Sequence, residues 1–317
     1  MPKSFLRGGH AQTLAAALLP RRYTLPAAEM RFFKVDDSAQ VLCHCHWQAE
    51  RRQAATLVLL HGLEGSSAAE YVVGTADKAW AAGMNVVRMN MRNCGGTERL
   101  GPTLYHSGLS GDLGAVVGEL IREDKLPRIF LAGFSMGGNI TLKLAGEWGG
   151  EAPVEVRGVA TVSPAIDLAA SAQALHRPGN RLYEWNFLWG LKRRLRRKAR
   201  LFPGRYETRG LRRLGSVRDF DDQVTARYCG FAGAEDYYTR ASAANVVQRI
   251  ARPTLILHSQ DDPFVPLTAE TRAKLVANPN IRLVETGGGG HCAFLAEANG
   301  YDGRWAEREL VRFFAGV

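Results

Sequence analysis

Arg128-Ile129-Phe130-Leu131-Ala132-Gly133-Phe134-Ser135-Met136-Gly137-Gly138-Asn139 is the stretch on which the reading of the whole chain turns. Ile129 to Ala132 is a continuous apolar run, as expected of a strand buried on both faces. From about Gly137 to Trp148 the pattern becomes helical. A strand that passes straight into a helix needs small neighbours at the turn, and Gly133 and Gly137 let the two backbones approach. Ser135 stands at the apex, where its hydroxyl is pushed out at the carboxyl edge of a sheet. The amides that open the helix point at any negative charge developing there. The same letters can spell a glycine-rich turn with an inert serine; the strand before and the helix after favour a nucleophile.

Outward from this turn, strands and helices alternate. Thr56–Leu60, Asn85–Asn90, Val156–Val162, Pro253–His258 and Ile281–Glu285 read as further strands, and 31–48 as a hairpin around Asp36-Asp37-Ser38. Residues 70–82, 110–122 and about 303–314 suit helices. This rhythm predicts an α/β fold with a mostly parallel central sheet flanked by helices. It breaks between about Ile166 and Ile250, where scattered aromatics and dense Arg and Lys replace apolar strand runs. The expected division is therefore a core of 1–165 and 251–317 and an inserted helical cap of 166–250.

A serine hydroxyl is a weak nucleophile and needs a base that is itself oriented by an acid. Downstream of Ser135, PTLILHSQDDPFVP is a strand followed by an acidic turn. Asp262 is the preferred acid, just before the Pro263-Phe264-Val265-Pro266 turn, and Asp261 is the alternative. His291 follows four glycines and the strand IRLVE, so a loop without side chains can lay its imidazole over the sheet edge. A surface histidine on a mobile loop is the bland alternative. His258, in or at the end of a strand, reads as packed. An oxyanion needs two preorganised donors. The Met136 amide and, in His61-Gly62-Leu63-Glu64-Gly65, the Leu63 amide are the candidates. Cys43-His44-Cys45-His46 hints at metal, but strand alternation puts cysteines and histidines on opposite faces, so no metal site is expected. This chemistry needs no cofactor.

The 317 residues, 46% hydrophobic and 23% charged, are enough to bury a core without staples. Five cysteines, an odd number in a long chain, argue against a disulfide framework. The apolar run Leu14–Leu19 is too short for a membrane span or a signal-peptide core, so a cytoplasmic protein is expected, with peripheral membrane contact left open. The formal charge of +10 favours acidic partners without saying which.

Taken together, GGHAQTL, HGLEGSSAAEY, MNMRNCGGTE, YHSGLSGDL, GFSMGGN, DDPFVP and GGGGHCAFL span nearly the whole chain. The sequence resembles the YheT-like branch of the α/β-hydrolases, whose animal relatives are α/β-hydrolase-domain-containing lipases. The resemblance implies a hydrolase core with a cap, activity on carboxylic esters, and a triad on Ser135, Asp262 and His291. It leaves the substrate open.

Within the expected cap, Tyr183, Trp185, Phe187 and Trp189 are candidates to line an acyl pocket suited to medium or long chains. The segment Lys192–Arg200 holds seven basic residues in nine. On a helix it reads as a solvated face anchored by Leu195 and Ala199, or as a contact for anionic lipid or an acidic head group. Nucleic acid is not expected, since no recognised binding motif accompanies the charge. Besides hydrolysis, the same residues fit acyl transfer to another alcohol, or a non-catalytic binding protein on the same scaffold.

Overall fold

The computed structural model describes residues 8–317; the first seven residues of the expected core lie outside them. The chain opens with helix α1 (Gly9–Leu18) and the hairpin β1 (Glu29–Lys34) and β2 (Gln40–His46). It continues through β3 (Thr56–Leu60), α2 (Glu70–Ala81), β4 (Asn85–Met89), α3 (Ser110–Arg122), β5 (Ile129–Phe134), α4 (Met136–Trp148) and β6 (Val156–Val162). Helical segments alone follow: α5 (Leu168–Leu175), α6 (Arg181–Leu201), α7 (Val217–Phe220), a π-helical turn (Asp221–Ala226), α8 (Arg227–Cys229) and α9 (Ala234–Ala241), with short 3₁₀ turns between. The chain then returns to β7 (Thr254–Ser259), α10 (Ala269–Val276), β8 (Ile281–Thr286) and α11 (Trp305–Ala315).

The strands form one eight-stranded sheet in the order β1-β2-β4-β3-β5-β6-β7-β8. β1, β2 and β4 pair antiparallel, and every pairing from β4 to β8 is parallel. The parallel strands β3, β4 and β5 are buried along their whole length, because helices cover both faces. Strand alternation divides the core. Leu57, Leu59, Phe130 and Ala132 pack with α2 and α11, while Val58, Leu60, Ile129 and Leu131 pack with α3 and α4. Parallel pairing places the carboxyl ends of β3, β5, β6, β7 and β8 along one edge. The loops leaving that edge carry the candidate residues, as expected where parallel strands end.

The CHCH stretch lies on β2. Cys43 and Cys45 are buried in the core, His44 shares a 2.8 Å hydrogen bond with Ser67, and His46 meets the Arg88 guanidinium. Among the described residues no group of three or more His, Cys, Asp or Glu is arranged to hold a metal ion. None of the described helices is long and apolar enough to cross a membrane.

Candidate active site

Ser135 occupies the one-residue turn between β5 and α4 at φ 54°, ψ −119°, a region that side chains other than glycine rarely visit. The turn is held by its surroundings. The Ser135 amide donates to the Val162 carbonyl at 3.0 Å, and the Ser135 carbonyl accepts from Ala165 at 3.2 Å. A side chain at Gly133 would run into the Gly137 carbonyl, and one at Gly137 into the carbonyls of His61 and Leu60. That close approach brings the loop after β3 onto the serine: a Cβ built on Gly62 would lie 3.1 Å from the Ser135 Cβ.

His61 fixes this loop from within. It is fully buried; its Nδ1 lies 2.7 Å from the Gly62 carbonyl, and its Nε2 accepts the Met91 amide at 3.1 Å. These partners place the proton on Nδ1. Burial lowers its pKa to about 4, so the ring is neutral. The Gly62 amide donates to the Tyr71 hydroxyl at 2.9 Å. Leu63 and Met136, the two candidate oxyanion donors, line one cavity together with Ser135.

The carboxylate that meets His291 is Asp262, with Nδ1 to Oδ2 at 2.8 Å. Its other oxygen accepts the amides of Phe264 (3.2 Å) and Val265 (2.9 Å). Burial acts to raise the Asp262 pKa, but the His291 charge and these hydrogen bonds outweigh it, and the net shift is downward. For His291, burial acts to lower the pKa; Asp262 and Cys292 outweigh it and hold it well above the ordinary imidazole value. An Nδ1 proton committed to Asp262 leaves Nε2 as the basic nitrogen. The Phe264 ring lies 4.3 Å from the imidazole, centroid to centroid.

Asp261 does something else. Its Oδ1 accepts from Ser259 Oγ at 2.5 Å and from the amides of Gly289 (3.0 Å) and Gly290 (2.8 Å), tying the end of β7 to the glycine loop. His258 is buried in β7, with its pKa lowered by burial.

The sequence alone points to no role for the start of α1, the GGHAQTL stretch. Thr13 Oγ1 accepts the His291 amide at 2.9 Å and donates to the Gly9 carbonyl at 2.7 Å. Gln12 Oε1 accepts the Leu295 amide at 2.9 Å. A Cβ at Gly9 would collide with the Asp261 carbonyl. The first turns of α1 thus lie on both loops that carry Asp262 and His291. A glycine pair ahead of polar residues was the only signal, and its meaning needs the packed partner.

The pocket candidates separate. Phe187 lines the cavity beside Ser135, one helical turn before Leu191. Tyr183 packs on Phe264, with centroids 5.0 Å apart. Trp185 and Trp189 do not line it: they are 67% and 49% exposed. The buried face of α6 runs through Glu184, Leu188, Leu191, Leu195 and Lys198, and Trp185 and Trp189 fall on the opposite face of the same 3.6-residue period.

The basic stretch is not simply a solvated face either. Arg194 forms a two-pronged pair with Glu64 (2.9 and 3.2 Å), and Arg197 reaches Glu98 at 3.2 Å. Lys198 is fully buried, donating to Asn93 Oδ1 (2.9 Å) and to the carbonyls of Glu98 (3.1 Å) and Gly101. These side chains fasten α6 to the loops after β3 and β4. Arg193, Arg196 and Arg200 remain exposed.

The family model described as alpha/beta hydrolase fold matches residues 55–298. The protein of Escherichia coli (strain K12) named "Putative esterase YheT" is 30% identical over 95% of this chain and 88% of its own length. Phospholipase ABHD3 of Mus musculus is 31% identical over 76% of this chain, which spans 58% of that protein. Among solved structures, the Pyrococcus furiosus esterase Pf2001 superimposes with a TM-score of 0.62 at 18% identity, covering 93% of this chain and 96% of that one; at that identity the likeness speaks for the fold alone. With its sheet order, its serine turn and these matches, the chain belongs to the α/β-hydrolase family, in the YheT-like branch.

Proposed function

We propose that this protein is a serine hydrolase of carboxylic esters, working through a covalent acyl-enzyme. Ser135 attacks the ester carbonyl. His291 takes the hydroxyl proton on Nε2 and returns it to the leaving alcohol. Asp262 holds the imidazole by its Nδ1 proton, and the amides of Leu63 and Met136 receive the oxyanion. Water then attacks the acyl-enzyme, with His291 again the base, and the acid leaves. The observation that carries this reading is the 2.8 Å pair of Asp262 and His291 on loops leaving the same sheet edge as the strained Ser135 turn. The names of the relatives, an esterase and a phospholipase, agree with it.

The cavity beside Ser135 is mostly aliphatic and aromatic, which supports a medium or long acyl chain. In this reading 166–250 is a cap that closes over a core of 1–165 and 251–317. A fluorophosphonate probe should label the protein and an ester panel of varied acyl length should be turned over, both being lost in Ser135→Ala. Labelling that survives in Ser135→Ala would exclude this nucleophile.

A second contact is favoured by the outer face of α6. Leu182, Trp185 and Trp189 are exposed beside Arg193, Arg196 and Arg200, and the Arg193 guanidinium sits 4.6 Å from the Trp189 ring centre. Apolar rings followed by basic heads suit peripheral contact with an anionic lipid surface.

A further inference from the structure

The cavity beside Ser135 is not apolar throughout. Leu175, Leu191 and Val217 give it an aliphatic wall, which Asp221, Thr225 and Tyr238 interrupt. Asp221 opens the π-helical turn Asp221–Ala226. Such turns are rare and concentrate at functional sites. The carboxylate is steadied from two sides: Thr225 Oγ1 donates to one oxygen at 2.8 Å, and the Tyr238 hydroxyl to the other at 2.9 Å. Each oxygen therefore keeps a further lone pair. Burial pushes the Asp221 pKa up to about 6, which still leaves it mostly ionised at neutral pH. A carboxylate facing hydrocarbon is costly unless a donor uses its lone pairs.

We propose that Asp221, held by Thr225 and Tyr238, is a polar subsite that receives a hydroxyl group of the ester substrate. The proposal rests on the ester-hydrolase reading and adds the substrate class: esters with a hydroxyl remote from the scissile bond. A neutral hydroxyl satisfies the carboxylate without bringing in a second charge to be desolvated. A plain alkyl chain offers no donor to the lone pairs that Thr225 and Tyr238 leave over. The hydroxyl can be carried on the acyl chain or on the alcohol part, as in a glyceryl ester; the recognising chemistry is the same.

Two arms separate these sources. One compares kcat/KM for p-nitrophenyl octanoate with its monohydroxy positional isomers. The other compares ethyl octanoate with glyceryl monooctanoate. The expected result is a preference of ~10-fold or more for a hydroxylated member in one arm, the yield of one hydrogen bond to a charged acceptor. The ratio should fall towards one in Asp221→Leu, and partway in Asp221→Asn, whose amide oxygen still accepts. The second variant keeps size and shape and reads the same ratio if the first does not fold. Wild-type ratios near one in both arms, or a preference that persists in Asp221→Leu, overturn the subsite while leaving ester hydrolysis standing. Failure to cleave any of these esters overturns both.

Discussion

Asp261 and Asp262 differ by one position and point their carboxylates at different tasks. Asp262 accepts the hydrogen bond of the imidazole Nδ1–H, while Asp261 collects two glycine amides and a serine hydroxyl. The two should separate in kinetics. Asp262→Asn is expected to lower kcat by ~10³–10⁴, the usual loss when the orienting carboxylate is neutralised; Asp261→Asn is expected to cost far less. The pH profile carries the sign. Burial acts to lower the His291 pKa, but Asp262, joined by Cys292, outweighs it and holds the pKa above its ordinary value. The imidazole must be unprotonated to act as base, so the acid limb of kcat/KM lies above the ~6.5 of a free imidazole. Removing the carboxylate charge lets the pKa fall, and that limb should move to lower pH while the plateau drops. A limb unmoved in Asp262→Asn would remove Asp262 from this role.

At the scale of elements, α1 and α6 carry the least obvious duties. Residues at the start of α1 reach across the sheet edge to the loops of β7 and β8, and the Thr13 hydroxyl is the partner of the His291 amide. Thr13→Val keeps the shape and deletes that acceptor. It should lower kcat by ~10-fold, a loss of about 1–1.5 kcal/mol in holding the base, with KM little changed. Thr13→Ser should restore the rate. Equal losses in both variants would mark the residue as a packing group only. Helix α6 divides its side chains three ways. Phe187 and Leu191 face the cavity, Arg194 and Lys198 are consumed by the core loops, and Trp185, Trp189 and Arg193 are presented outward.

At the scale of the molecule, the formal charge of +10 becomes informative only once the internal pairs are taken out. Binding to anionic vesicles is expected, weakened by salt and absent with zwitterionic lipid. Each of Arg193, Arg196 and Arg200 contributes ~1 kcal/mol, so each removal weakens binding about fivefold. Trp185→Ser with Trp189→Ser should weaken it further without abolishing ester turnover. Co-sedimentation checks this, and wild-type binding indifferent to these changes would remove α6 as the contact. The strand-turn-helix around Ser135, the alternation of β and α, and the helical interruption between β6 and β7 were legible in the chain. Each depends on patterns within a few neighbouring residues: runs of apolar side chains, glycines at a tight turn, a change of period. The turn after β7 already favoured Asp262 over Asp261, but what Asp261 does instead, why a glycine pair opens α1, and which face of α6 meets water were decided by tertiary structure alone. Those outcomes depend on contacts between residues tens to hundreds of positions apart, such as Thr13 with His291 or Lys198 with Asn93. A helical period says which side chains share a face; only packing says which face looks inward.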